Sequence, residues 1–295
     1  MIRSLGFQPD ADRERNEGAG HAPRVSVVVP AVNEAADIGR CLASLAAQEC
    51  GNSFEVIVVD NNSTDETAAI ARALGATVVF EPHAGVCWAR QRGTETARGE
   101  IVVSTDADTT YDAGWLRRIT DAFDREPSSV AVCGPCRWVE GPRWASIYAA
   151  ALFGIVHLVY RLTGRVVYAS ATNIAFRKNA WSGYDTRLTQ GGDELDLLRR
   201  LRGVGEVHFD LGNPTFTSSR RLQRGLLYNV FVTCVFYYLL GYVLNRMFGR
   251  TVLGTAPEIR SQPPRRRTRN LRASLVTMAV VLLVMMASRM GVDLA

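Results

Sequence analysis

Residues 54–74 read FEVIVVDNNSTDETAAIARAL, and this stretch decides the fold. A Val/Ile run predicts a strand buried on both faces, ending at Asp60. Ser63 with Glu66 then has the spacing of a capping box before an alanine-rich helix. The same unit precedes it: VSVVV (25–29) stops at Pro30, and Asn33 is placed to cap a helix carrying Ile38, Leu42 and Leu45. It follows twice more, as TVVF (77–80) before a helix across 85–97, and as IVVST (101–105) before a helix capped by Asp112 and running through Phe123. Strands alternating with helices at this pace predict an α/β fold, a Rossmann-like, mostly parallel open sheet flanked by helices, with right-handed crossovers. Beyond it the pattern predicts a strand over 129–138, an extended stretch over 166–177, a helix from Asp193 and a strand over 206–210.

In such sheets ligands bind beyond the carboxyl ends of the strands. Acids collect there: Glu34 after the first strand, Asp60 and Asp65 after the second, and Asp106 and Asp108 in IVVSTDADTTYD (101–112) after the fourth. An edge lined with carboxylates repels a bare phosphate. It suits a diphosphate once a divalent cation lies between them, and oxygen ligands favour Mg2+ or Mn2+ over zinc. Each acid taken singly also fits a turn, because Asx side chains accept backbone N–H bonds where strands pass into helices.

Composition narrows the function classes. The chain has 295 residues, 47% of them hydrophobic, and a net charge of +5. Lys178 is the only lysine, so the basic side chains are arginines, which cluster between Arg246 and Arg272. No recognition helix, RRM or zinc-finger pattern accompanies them, so the cluster reads as membrane-surface charge before nucleic-acid contact, and no nucleic-acid partner is expected. The six cysteines show no secreted framework, and residues 1–23 lack a signal-peptide core and read as a mobile leader. Cys133-Gly-Pro-Cys136 has redox spacing, but RWVEGPRW after it lacks helical periodicity. No second Cys or His pair is close enough to complete a zinc site.

VSVVVPAVNEAADIGRCLASL, FEVIVVDNNSTDET and GVCWARQRGTETARGEIVVSTDADT, in that order, resemble the opening half of family 2 glycosyltransferases of the GT-A fold. The resemblance extends from about residue 24 to 210. It implies an inverting transfer from a UDP- or GDP-linked sugar to an acceptor, with Mn2+ or Mg2+. Pro30, Glu34 and Asp60 would then face the nucleoside, with Asp65 and Arg90 supporting that half of the pocket. Asp106 and Asp108 would be the DxD pair, Asp108 the more direct metal ligand. GGDELDLLRRLR (191–202) stands where the family usually reads Glu-Asp-x-Asp-Leu, which puts Glu194 in the position of the general base, with Asp193 as the rival. Acids at a helix start also simply complement its dipole. YASATNIAFRKNAW places Asn173 on the acceptor side. Thr217, Ser218, Arg220 and Arg221 resemble a TSxRR element whose arginines would meet a diphosphate or lipid phosphate.

Residues 225–245 carry no charge over a length able to span a bilayer, and a second uncharged run lies between Arg272 and Arg289. If both crossed, the arginine cluster would lie opposite the nucleotide-binding domain, against the positive-inside rule. The expected division is therefore a leader (1–23), a GT-A domain (24–222), an interfacial or membrane helix (223–248), a basic linker (249–273) and a single crossing at 274–290. That arrangement puts the enzyme on the cytoplasmic face of the membrane with a glycan or lipid-linked acceptor, and lets the apolar 144–162 helix share the surface. Two other readings stand beside it. DADT (106–109), GGDELD and Lys178 also match haloacid-dehalogenase-like phosphatases, with Asp106 as nucleophile and Asp108 as acid. The inverted Asp193-Glu194 order also suits a non-catalytic nucleotide-sugar binder.

Overall fold

A computed structural model describes residues 22–51, 53–188, 192–250 and 252–254. Among them are ten strands: β1 (Val25–Ala31), β2 (Phe54–Asp60), β3 (Thr77–Phe80), β4 (Ile101–Ser104), β5 (Thr109–Tyr111), β6 (Ser129–Cys133), β7 (Cys136–Val139), β8 (Ile174–Arg177), β9 (Glu206–Phe209) and β10 (Thr215–Ser218). The principal helices are α1 (Ile38–Ala46), α2 (Thr67–Ala73), α3 (Val86–Thr96), α4 (Trp115–Arg125), α5 (Arg143–Thr163), α6 (Asp193–Val204) and α7 (Gly241–Phe248). Seven strands make one sheet in the order β3-β2-β1-β4-β8-β6-β9, parallel except at β8, which runs antiparallel to β4 and β6. A second sheet has the order β5-β10-β7.

Strand alternation builds the layers. Val25, Val27, Val29, Val56, Val58, Ile101 and Val103 pack on one face against Ile38, Leu42 and Leu45 of α1 and Trp115, Leu116 and Ile119 of α4. Val28, Ile57, Val59 and Val102 face the other way, in a cluster with Ala89 of α3, Phe153 and Val156 of α5, and Leu197, Leu198 and Leu201 of α6. Both faces are covered, which is why these strands read as unbroken apolar runs. The α3 layer lies so close that a Cβ on Gly93 would overlap the Val28 side chain and come within 2.9 Å of Val59 Cγ2. Gly93→Ala is therefore expected to lower unfolding free energy by about 1–3 kcal/mol, read as a fall in denaturant midpoint. An unchanged midpoint would mean that the layers can part without cost.

Several local expectations need correction. The 129–138 segment is two strands in different sheets. Pro135 has no N–H to donate, and a Gly134 Cβ would meet the Asn173 side chain and lie 2.5 Å from the Asn213 carbonyl, so the chain turns there. Cys133 and Cys136 are thus buried strand residues, and burial pushes their thiols up to about 12 and about 11, which fits inert thiols. The extended stretch at 166–177 is a strand only over its last four residues. Asn33 does not cap α1. It has φ 52°, and its Oδ1 accepts from Thr64 N at 2.6 Å. Ser63 and Glu66 form no capping box: Ser63 Oγ accepts from Asn33 N at 3.1 Å, and Asp65 Oδ1 accepts from Thr67 N at 3.0 Å. The α4 N-cap is Gly114, not Asp112. Asn33 and Ser63 thus bond across the two loops, while Asp65 serves the start of its own helix.

The 225–245 segment is helical, with wide π-type turns over Tyr228–Leu240 continuing into α7. Arg143–Thr163 and Phe231–Phe248 are long and apolar enough to cross a membrane on length and composition alone. The leader up to residue 21, the arginine cluster from 255 and the 274–290 segment lie outside the described residues.

Candidate active site

The acid-bearing ends of β1, β2 and β4 share one edge, because the three strands are parallel and in register from Val25 opposite Phe54 and Ile101. Pro30 is half-buried there, opposite Val59. The β1 and β2 loops are laced together: Glu34 N donates to Thr67 Oγ1 at 2.8 Å and Ala35 N to Asp65 Oδ2 at 3.2 Å. Asp65 therefore sets the loop that carries Glu34. Asp60 Oδ1 accepts from Ser63 N, three residues on, at 3.0 Å, a bond that holds the start of the second loop.

Two arginines organise the remaining acids. Arg220 enters from the one-turn helix Arg220–Arg224 after β10 and donates through one nitrogen to Glu34 Oε2 at 3.0 Å and Asp108 Oδ2 at 2.7 Å. Its other terminal nitrogen lies 3.3 Å from Asp37 Oδ2. Burial pushes the Glu34 carboxyl up to about 7 even with Arg220 alongside. Asp108 is fixed further by β10, with Thr217 Oγ1 donating to its Oδ1 at 3.2 Å and Ser218 N to its carbonyl at 3.2 Å. The sequence put Arg220 near phosphate; it did not show that Asp37 and the β10 ribbon belong to the same cluster.

Arg90, buried on α3, is the second organiser. It donates to Asp106 Oδ1 at 2.7 Å, to Asp193 Oδ2 at 3.0 Å, to the Thr105 carbonyl at 3.1 Å and to Ser104 Oγ. Burial opposes its charge, yet Asp106 and Asp193 hold its pKa above the usual arginine value. The sequence reading put Arg90 on the nucleoside half; the structure places it between the β4 acids and the start of α6. Asp193 is committed to this guanidinium. Its neighbour Glu194 is buried, and among the described residues its Oε2 has no hydrogen-bond partner. Burial, and then the Asp193 charge, push the Glu194 pKa well above the carboxylate range.

Asn173, expected on the acceptor side, makes its side-chain bonds within the fold. It is buried, its amide donates to the carbonyls of Pro135 at 3.0 Å and Asn213 at 2.7 Å, and its Oδ1 accepts from Trp115 Nε1 at 3.1 Å. It pins the β6–β7 turn. Arg221 lies within the one-turn helix beside Arg220. Lys178 is at the far end of the sheet: β8 runs antiparallel, Arg177 pairs with Ile101, and Lys178 Nζ donates to the Ala97 carbonyl. It cannot reach Asp106, so the phosphatase constellation is not assembled.

Among the described residues no three His, Cys, Asp or Glu side chains converge to cage a metal ion. A hard cation that keeps waters and substrate phosphates needs only one or two carboxylates, and Asp106 with Asp108 supply that donor set. The residues therefore fit a cation that arrives with a diphosphate.

A largely parallel sheet with this acid-bearing edge, closed by a small second sheet, is the architecture of the GT-A glycosyltransferases. Residues 26–181 match the family described as Glycosyl transferase family 2, and the chain belongs to that family. It is 34% identical over 184 residues to an uncharacterized glycosyltransferase of Mycobacterium tuberculosis, covering 61% of this chain and 80% of that one. A PGL/p-HBAD biosynthesis glycosyltransferase of the same organism is 38% identical over 118 residues, 37% of this chain and 45% of its own. The mannosyltransferase PcManGT of Pyrobaculum calidifontis, solved with GDP-Man and Mn2+, superposes with a TM-score of 0.60 at 23% identity, covering 80% of this chain and 66% of that one. Glucosyl-3-phosphoglycerate synthase of Mycobacterium tuberculosis, solved with Mn2+ and UDP-glucose, gives 0.55 at 20% identity, covering 76% and 79%. The chain spans 62% of a Staphylococcus aureus TarS fragment solved with UDP, with a TM-score of 0.56 at 19% identity.

Proposed function

We propose that the protein transfers a sugar, with inversion, from a nucleoside diphosphate sugar to a hydroxyl or phosphate of a lipid-linked or glycan acceptor at the cytoplasmic face of the membrane. The observation that carries this reading is the Arg90 bridge, which joins the strand-end acid Asp106 to Asp193 beside the buried, half-unpartnered Glu194. Glu34 and Asp60 line the nucleoside side, on loops that Asp65 holds. Asp106 and Asp108 would hold a divalent cation, which when bound would supply charge neutralisation for the leaving diphosphate. Arg220 exchanges carboxylate partners for diphosphate oxygens when the donor enters, a fork geometry suited to phosphate. Glu194 takes the proton from the acceptor as it attacks the anomeric carbon, and Asp193, fixed by Arg90, orients the helix start that carries it.

A nucleotide-sugar panel read by thermal shift, with and without Mn2+, tests the donor half. A UDP or GDP compound at about a hundred times its Kd adds roughly 2.7 kcal/mol, or roughly 5–10 °C, and the shift needs the metal. A shift of the same size without a divalent cation would show that Asp106 and Asp108 do not bind the donor through a metal.

A further inference from the structure

We infer that the outward face of α5 is a docking surface for an anionic lipid bilayer, set so that the cleft opens at the membrane surface. The inference rests on the lipid-linked acceptor reading above and supplies the element that would deliver it. The helix spans 21 residues, about 31 Å. Ala145, Ala149, Phe153 and Val156 bury its inner face. The opposite face is apolar too: Ile147, Ile155, Leu158 and Leu162 are 71%, 61%, 57% and 76% exposed, with the small residues Ala150, Ala151 and Gly154 between them. These positions recur at helical spacing, so they form one stripe and not scattered contacts.

Charge selects the occupant. Between Glu140 and Asp185 the chain contains no acid, while exposed Arg143, Arg161 and Arg165 stand at the two ends of α5. An apolar stripe with basic ends and no acids suits the interface of an anionic membrane, where the arginines meet headgroups and the stripe meets acyl chains.

Position ties the face to the chemistry. Gly141, just before α5, packs so closely that a Cβ there would lie 3.0 Å from Ser219 Cβ, next to Arg220. In the second sheet, Trp138 pairs with Thr217, whose hydroxyl bonds Asp108, and Trp138 stacks on Tyr148 of α5 at 5.5 Å between ring centroids. A headgroup near Arg220 and Asp108 is therefore one strand away from the start of the exposed stripe.

The test uses the full chain with Cys50 and Cys234 changed to serine, so that an environment-sensitive fluorophore can be placed on Leu158→Cys or, as a control, on Arg72→Cys of α2. In vesicles of phosphatidylcholine and phosphatidylglycerol, the label at 158 is expected to shift to the blue and be quenched by spin-labelled lipid, while the label at 72 stays in water. Adding Arg161→Gln and Arg165→Gln should lower the immersed fraction at 158 by roughly an order of magnitude. A label at 158 that stays in water on vesicle-bound protein would overturn the inference. So would a blue shift without vesicles, which would assign the stripe to another segment or a second copy, or an immersed fraction indifferent to the arginines. Metal-dependent nucleotide binding, measured on the same samples, reports separately on the glycosyltransferase reading.

Discussion

Glu194→Gln is expected to lower transfer by about 10²–10⁴-fold and to leave nucleotide affinity unchanged, because a general base contributes that much to an acceptor deprotonation. Glutamine keeps the shape of a buried side chain and removes only its capacity to take a proton. The rate of the unsubstituted enzyme should climb with pH through a value above the carboxylate range, the direction in which burial and Asp193 move Glu194. That limb should vanish in the variant. Asp193→Asn gives the contrast. It removes one partner of a buried ion pair with Arg90, so its main cost is in folding, about 3–5 kcal/mol. If Asp193→Asn instead folds well and loses the pH limb while Glu194→Gln retains it, the two acids exchange roles. Nucleotide binding with no turnover on any lipid or glycan extract, even at high pH, would mark the chain as a binder.

The second large effect belongs to Asp108→Ala. Its carboxylate is partly exposed and is held by Thr217 and Arg220, so its loss spares the core. The expected result is loss of the Mn2+-dependent part of donor binding and a fall in kcat/KM of roughly 10³-fold, the scale of the several kcal/mol that a Lewis-acid cation contributes. Arg220→Ala separates two explanations. If Asp108 acts through the cation, metal dependence survives removal of Arg220 and only affinity drops. If Asp108 serves mainly to hold Arg220, the two variants behave alike. Metal titration followed by nucleotide binding distinguishes these outcomes.

The central sheet could be read from sequence because β1, β2 and β4 are buried on both faces and need continuous Val/Ile runs. β5 and β10 escaped notice because TTY and TFTS are too short to show a period, and they pair with each other across more than a hundred residues. The turn at Gly134-Pro135 was hidden because SVAVC and CRWV look like one strand until the packing of Asn173 is known. In the site, Glu34, Asp106 and Asp108 were legible as acids at strand ends. What Arg90 joins was not, because Asp193 is 103 residues away and nothing local in WARQRG says which acids the guanidinium meets. The partners of Asn173 were hidden as well: a buried amide that pins a turn and one that binds a ligand look alike in sequence.

The contact between Glu34 and Arg220 spans 186 residues. On the ribosome, Glu34 emerges early, and its neighbouring strands β1, β2 and β4 are all made more than a hundred residues before Arg220. Until then its carboxylate, with Asp37 and Asp108, lacks the counter-charge that Arg220 brings. A chain that stops short of Arg220 therefore lacks the group that joins Glu34, Asp37 and Asp108, and its cleft is unfinished.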